Sequence, residues 1–167
     1  ADGPARRLTV ASVTPSYLEA LGVVPRLGRV FDGDEARPGE GDVVLVSGGF
    51  WRTVLGGGAD ALGREIVLDG TTHTVVGVLP DGFDFPSGRN DVWVPATIDP
   101  SDDGMYWGFG GYSVVARLAP GATPGDVRTE VQRYEEPIRL ANTLWTPNEG
   151  VWDAVQVTPL QEARARW

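Results

Sequence analysis

Glu65-Ile66-Val67-Leu68 and His73-Thr74-Val75-Val76-Gly77-Val78-Leu79 are two runs of strand formers on either side of Asp69-Gly70. An Asp-Gly pair tolerates the positive φ that a tight two-residue hairpin turn requires, so the stretch specifies a β-hairpin. Upstream, Val43-Val44-Leu45-Val46 is continuously apolar, the pattern of a strand buried on both faces. Ser47 follows as the cap of a short helix carrying Phe50, Trp51, Val54 and Leu55, which Gly56-Gly57-Gly58 closes. Downstream, Pro80, Gly82, Pro86, Ser87 and Gly88 break the chain before a short strand, Val92-Trp93-Val94.

Further out, Arg7 to Val13 alternates polar and apolar residues as a half-buried strand does. Thr14-Pro15 supplies an N-cap and a first-turn proline, Tyr17, Leu18 and Leu21 recur at helical spacing, and Gly22 is placed as a C-cap. On the C-terminal side, Tyr112 to Leu118 alternates as a strand. Thr123-Pro124-Gly125-Asp126 then has the form of a capping box. Val127, Val131, Tyr134, Ile138 and Ala141 follow on one stripe of the longest helix, which Pro137 is expected to kink or end. Trp152 to Val157 is a last strand, and Asp99 to Gly111 an exposed, glycine-rich loop. The expected fold class is α+β in two lobes. The flanking segments 1–27 and 106–167 read as halves of one βαβ lobe, and a mixed, β-rich lobe of residues 28–105 is inserted in it. The Val10 strand is expected beside the strands at Val115 and Val155, with the Asp69-Gly70 hairpin in the other lobe.

Composition narrows the chemistry. The 167 residues carry a net charge of −9, and all 14 basic residues are arginine. So acidic a chain lacks the basic face that nucleic acid or an anionic lipid surface demands. With no lysine there is no Schiff-base amine and no phosphate-loop lysine; with no cysteine there is no thiolate nucleophile, thiolate metal site or disulfide. Any triad would have to pass through the single histidine, His73, which the pattern places at a surface or edge position of a hairpin strand. There is no apolar run of about 18 residues and no signal peptide, and a chain opening at Ala1 without methionine is expected to be part of something longer.

The candidate motifs mostly resolve into structure. Asp32-Gly33-Asp34-Glu35 suggests calcium, but an EF-hand loop starting there would need Gly and Glu where Arg37 and Val43 stand. An acidic helix start is the better account. Ser47-Gly48-Gly49 has Leu45 where a nucleophile elbow needs its first glycine. Asp102-Asp103 reads as a solvated turn and Glu135-Glu136 as a solvated helix face. Trp51 and Trp93 sit in apolar patterns and belong in the core. Tyr106, Trp107 and Phe109, by contrast, stand among glycines in the Met105 to Gly111 loop, which either folds onto the core or presents them as candidate partner-contact residues. Trp167, after Arg164 and Arg166, has the composition of a membrane-interface segment.

Taken in order, these residues resemble a known family. Thr14-Pro15-Ser16-Tyr17-Leu18-Glu19-Ala20-Leu21-Gly22-Val23, Pro25, Leu27-Gly28-Arg29 and Phe31 match a run typical of MacB-like periplasmic core domains. The likeness continues through Val44-Leu45-Val46-Ser47, Phe50-Trp51, Gly63-Arg64, Leu68-Asp69-Gly70, Thr74 to Val78, Gly82-Phe83, Phe85-Pro86 and Asp91-Val92-Trp93-Val94-Pro95. It resumes at Val115-Ala116-Arg117-Leu118 with Pro120-Gly121 and ends at Val157-Thr158-Pro159-Leu160. The chain departs from the family pattern at Gly56-Gly57-Gly58-Ala59, where a Gly-Gly-Asp-Pro is common, and at Pro137.

The resemblance implies an extracytoplasmic, periplasmic-side domain of a membrane-bound ABC transporter permease of the type VII, mechanotransmission class. It implies that the lobe of flanking segments is porter-like and lacks an N-terminal part, and it implies no catalytic, cofactor or metal residues. It implies as partners a second permease copy, a cytoplasmic ATP-binding subunit or domain, and a periplasmic adaptor, and no nucleic acid. The competing reading is a stand-alone ligand-binding module or a carboxylate-based hydrolase, resting on the aromatic loop and the acidic clusters.

Overall fold

The computed structural model describes residues 6–85, 88–97, 113–141 and 157–160. Its centre is a mixed six-stranded sheet, which establishes the α+β class: β1 (Val10–Val13), β2 (Leu27–Gly28), β3 (Val43–Val46), β4 (Glu65–Leu68), β5 (Thr71–Val78) and β6 (Val92–Pro95). The order is β1-β6-β3-β5-β2, with β4 also pairing β5. β1 runs parallel to β6 and β3 parallel to β5, while the remaining pairs are antiparallel.

The hairpin forms as its sequence requires. Leu68 pairs with Thr71, and Asp69 and Gly70 between them both have positive φ, at 49° and 89°. β3 is the buried central strand its apolar run specifies, between β5 and β6, with Val44, Leu45 and Val46 fully covered. Val76 is an extra residue on β5: Val44 opposes Val75 but Leu45 opposes Gly77. Past this bulge β5 receives β2 so closely that a Cβ on Gly77 would collide with the Arg29 carbonyl, and one on Gly28 with the Val76 carbonyl. Only glycine permits that approach, and Gly28 also holds a φ of +72°.

Among the described residues the α-helices are α1 (Pro15–Leu21), α2 (Gly48–Thr53) and α3 (Pro124–Ala141). α1 has its proline at the first position and Gly22 as a left-handed C-cap, but the Thr14 side chain makes no cap bond and lies 3.3 Å from the Ser16 hydroxyl. Ser47 does cap α2, its Oγ accepting from the Phe50 amide at 3.0 Å. The capping box of α3 is reciprocal: the Asp126 carboxylate accepts from the Thr123 amide at 2.7 Å, and the Asp126 amide donates to the Thr123 hydroxyl at 3.3 Å. α3 continues through Pro137, which therefore does not end it.

Alternation along the strands sends side chains to two apolar clusters. One gathers Val44, Val46, Val75, Val78 and Val92 against Phe50, Trp51 and Leu55 from α2 and its exit. The other gathers Ala11, Val13, Leu45, Leu79 and Trp93 against Leu18 of α1 and Phe31. Trp51 and Trp93 are both buried, and each indole donates to a backbone carbonyl: Trp51 to Gly58 at 2.9 Å and Trp93 to Phe85 at 3.2 Å. That satisfies the polar edge of a ring placed in the core.

The strand placement expected from sequence is corrected. β1 does not lie apart from the hairpin; it closes the same sheet by pairing with β6, Val10 opposite Val92 and Val13 opposite Pro95. The cause is β6, whose Val92 and Trp93 are wholly buried, so the strand needs a neighbour on the side that β3 leaves open. β1 brings Ala11 and Val13 to the cluster around Trp93. Of the expected strand at Tyr112 to Leu118, residues 113–118 join no ladder among the described residues, which corrects it there. The last strand, save Val157, and the Asp99 to Gly111 loop lie outside the described residues, as does the boundary at 105/106.

Candidate functional site

The residues singled out for chemistry are held in structural bonds. Asp32 Oδ1 accepts from the amides of Asp34 and Glu35, opening the one-turn 3₁₀ helix Asp34–Ala36, in keeping with an acidic helix start. Glu35 turns inward and is buried; its carboxylate receives the Arg29 guanidinium at 2.6 and 3.0 Å and the Asp32 amide at 2.9 Å. A shielded carboxylate with three donors is a fixed anchor for the turn. Among the described residues no three His, Cys, Asp or Glu side chains gather as metal ligands.

His73 lies on β5 one residue short of the β3 ladder, which begins at Thr74. It is half-buried on β5, opposite Ile66, and its Nδ1 is covered without a hydrogen-bond partner among the described residues. The Tyr17 hydroxyl is likewise covered and unpartnered among the described residues, its ring stacked on Phe85 at 6.0 Å, and burial pushes its phenol up from the ordinary value. Ser47, the residue nearest a nucleophile elbow, uses its hydroxyl as a helix cap.

Two features escaped the sequence reading. An open cleft of about 490 Å³ lies between α1 and the turn after β2, lined by Pro15, Ser16, Glu19, Val23, Val30, Phe31 and Gly33. Asp81, in the turn after β5, takes Arg26 at 3.0 Å on one oxygen and Arg52 on the other. Arg26 lies with its guanidinium carbon 5.1 Å from the centre of the Trp51 ring. These pairings join residues 29 and 55 positions apart, and no local spacing announces them.

A different surface is presented by residues 113–134. Val114 is 87% exposed, Val131 40% and Tyr134 58%, with Val127 half-buried, so most of the stripe expected on α3 faces solvent where it is described. The side chains of Glu135, Glu136, Ile138 and Ala141 lie outside what is described, as do Tyr106, Trp107, Phe109, Asp102, Asp103 and Trp167.

Residues 1–134 match the family model of the MacB-like periplasmic core domain. The chain belongs to that family. Among solved structures, this MacB-like domain is similar to a domain of a protein assigned as a permease from Porphyromonas gingivalis, with a TM-score of 0.54, 20% identity, and 81% of this chain and 62% of that one covered. It is also similar to the periplasmic region of MacB from Actinobacillus actinomycetemcomitans, with a TM-score of 0.52, 12% identity, and coverage of 77% and 56%. At such identities the likeness is one of fold, and the MacB-like domain spans less than two thirds of either relative. Comparison with curated proteins gives no match. No helix among the described residues is long and apolar enough to cross a membrane.

Proposed function

We propose that the chain is an extracytoplasmic core domain of an ABC transporter permease at the cell membrane, doing no chemistry of its own. It passes the conformational change driven by ATP hydrolysis in a cytoplasmic subunit or domain to the outer, periplasmic face. The family match over residues 1–134 carries this reading. The use of Asp32, Glu35, Ser47 and Asp81 as structural anchors supports it, because the groups a carboxylate hydrolase would draw on are engaged in holding turns and helices.

In this reading the domain works against a second permease copy and docks a periplasmic adaptor. Tyr106, Trp107 and Phe109 are contact residues, and residues 106–167 belong to a second, porter-like lobe. The exposed apolar stripe of α3 supports a lobe made to pack against something further.

The absence of cysteine from the chain makes the location testable. Val67→Cys, at an exposed position of β4, is introduced into the full permease with its other cysteines removed. A membrane-impermeant maleimide should label it on intact cells with the outer membrane opened; labelling only after lysis of the inner membrane would overturn the proposal. Trp107→Ala should leave the stability of the domain nearly unchanged and lower transport by the full permease. A destabilised domain that still supports transport would refute the contact role.

A further inference from the structure

Asp81 joins three parts of the chain that are remote in sequence: Arg26 just before β2, Arg52 on α2, and its own turn after β5. Its seat is shaped for it. A Cβ on Gly48, the first residue of α2, would collide with Asp81 Oδ1, so the carboxylate rests where any other side chain would stand. Arg26, held by one oxygen of this carboxylate, covers the Trp51 ring, and Trp51 belongs to the apolar cluster beneath α2. The contact therefore acts on α2 twice, through Arg52 directly and through Arg26 lying on Trp51. All three charged side chains are about half exposed, which leaves the arrangement open to screening by salt.

From this geometry we propose that Asp81 is a charge-operated clasp. Seated over Gly48 between Arg26 and Arg52, it fastens α2 to the β2 side of the sheet, and it releases α2 when its charge is screened or its seat is filled. This is a property of the fold and holds whatever system the domain serves. The Arg52 guanidinium, and secondarily Arg26, hold the Asp81 carboxyl below its ordinary range, so the clasp stays charged at neutral pH.

The test is amide hydrogen exchange on the 167-residue chain, comparing the Val54, Leu55 and Gly57 amides, which bond back to Phe50 and Trp51, with those of the β4-β5 hairpin. Asp81→Asn should speed exchange in the first group about two- to fivefold, the range a pair of exposed ion pairs supports, and leave the hairpin unchanged. Gly48→Ala decides between two opposed expectations. Helix propensity alone would slow exchange in α2, because alanine is the better helix former; eviction of Asp81 from its seat would speed it as Asp81→Asn does. Raising salt from about 0.05 to 1 M should loosen α2 in the unaltered chain and have no further effect in Asp81→Asn. The proposal is overturned if Asp81→Asn leaves α2 unchanged, if Gly48→Ala only slows exchange, or if salt acts on α2 and hairpin alike. Should either variant fail to fold, the salt comparison in the unaltered chain decides alone.

Discussion

Residues 8–95 and residues 113–134 contain equally clear local signals and meet different fates. In the first region the alternating and continuous apolar runs close into one sheet with α1 and α2 packed on it, and Trp93, Leu45 and Val44 are fully covered. In the second, a strand-like stretch joins no ladder among the described residues, and a helix with a well-formed capping box leaves Val131 and Tyr134 exposed. Capping and periodicity make a helix; they do not provide a surface for its apolar stripe. Burial needs a partner surface, and the first region supplies its own.

That contrast is most directly broken by truncating one aromatic in each region. Trp93→Ala removes a fully buried ring and should cost about 3 to 5 kcal/mol in denaturant unfolding, whereas Tyr134→Ala should stay within about 0.5 kcal/mol. A comparable loss at Tyr134 would mean that the second region is packed as tightly as the first. Next in size is Arg29→Met, which strips the guanidinium from the shielded Glu35 and should cost about 1 to 3 kcal/mol, restored in part by Glu35→Gln in the same chain.

The two helix caps sharpen the comparison further. Ser47→Ala should lower global stability by about 1 kcal/mol, because α2 is part of the cooperative core. Thr123→Ala removes an equally good cap, yet its effect should be confined to the helicity of α3 and leave the unfolding midpoint of the sheet in place. The smallest effect is on acidification. The Thr123 hydroxyl and amide hold the Asp126 carboxyl below its ordinary range. A depressed native-state value contributes stability that is complete above the ordinary aspartate range and lost as pH falls through the depressed one. The first turn of α3 should therefore fray in acid, read as faster exchange of its amides relative to the hairpin, and Asp126→Asn should abolish that pH dependence. Persistence of the dependence in the variant would assign it to another group.

Legibility followed sequence distance. The hairpin, the central run at Val43, the Ser47 cap and the box at Thr123 were all readable, because each depends on residues within about four positions of one another. Pairing of β1 with β6 was not, and was expected elsewhere, because alternation states that Ala11 and Val13 face a core but not which strand lies beside them. β2 was missed for a related reason: two residues carry no periodicity, and the strand exists only because Gly28 and Gly77 let two backbones meet. Of the site, the structural use of the acids at 32 to 35 was legible from the failed calcium spacing, whereas the Asp81 pairings and the cleft beside α1 were not.

The amino-acid sequence by itself determined the α+β class, the positions of the hairpin and helices, the loss of lysine, cysteine and most histidine chemistry, and, through the order of its turns and core residues, a family resemblance that the family model bears out. Tertiary structure alone decided the strand order, the use of Glu35 and Asp81 as anchors, and which apolar residues found a partner surface. The physical reason is that turns, caps and periodicity are set by sterics and hydrogen bonds between near neighbours. Strand order is set by burial and the Asp81 ion pairs by proximity, and both depend on where distant segments come to rest.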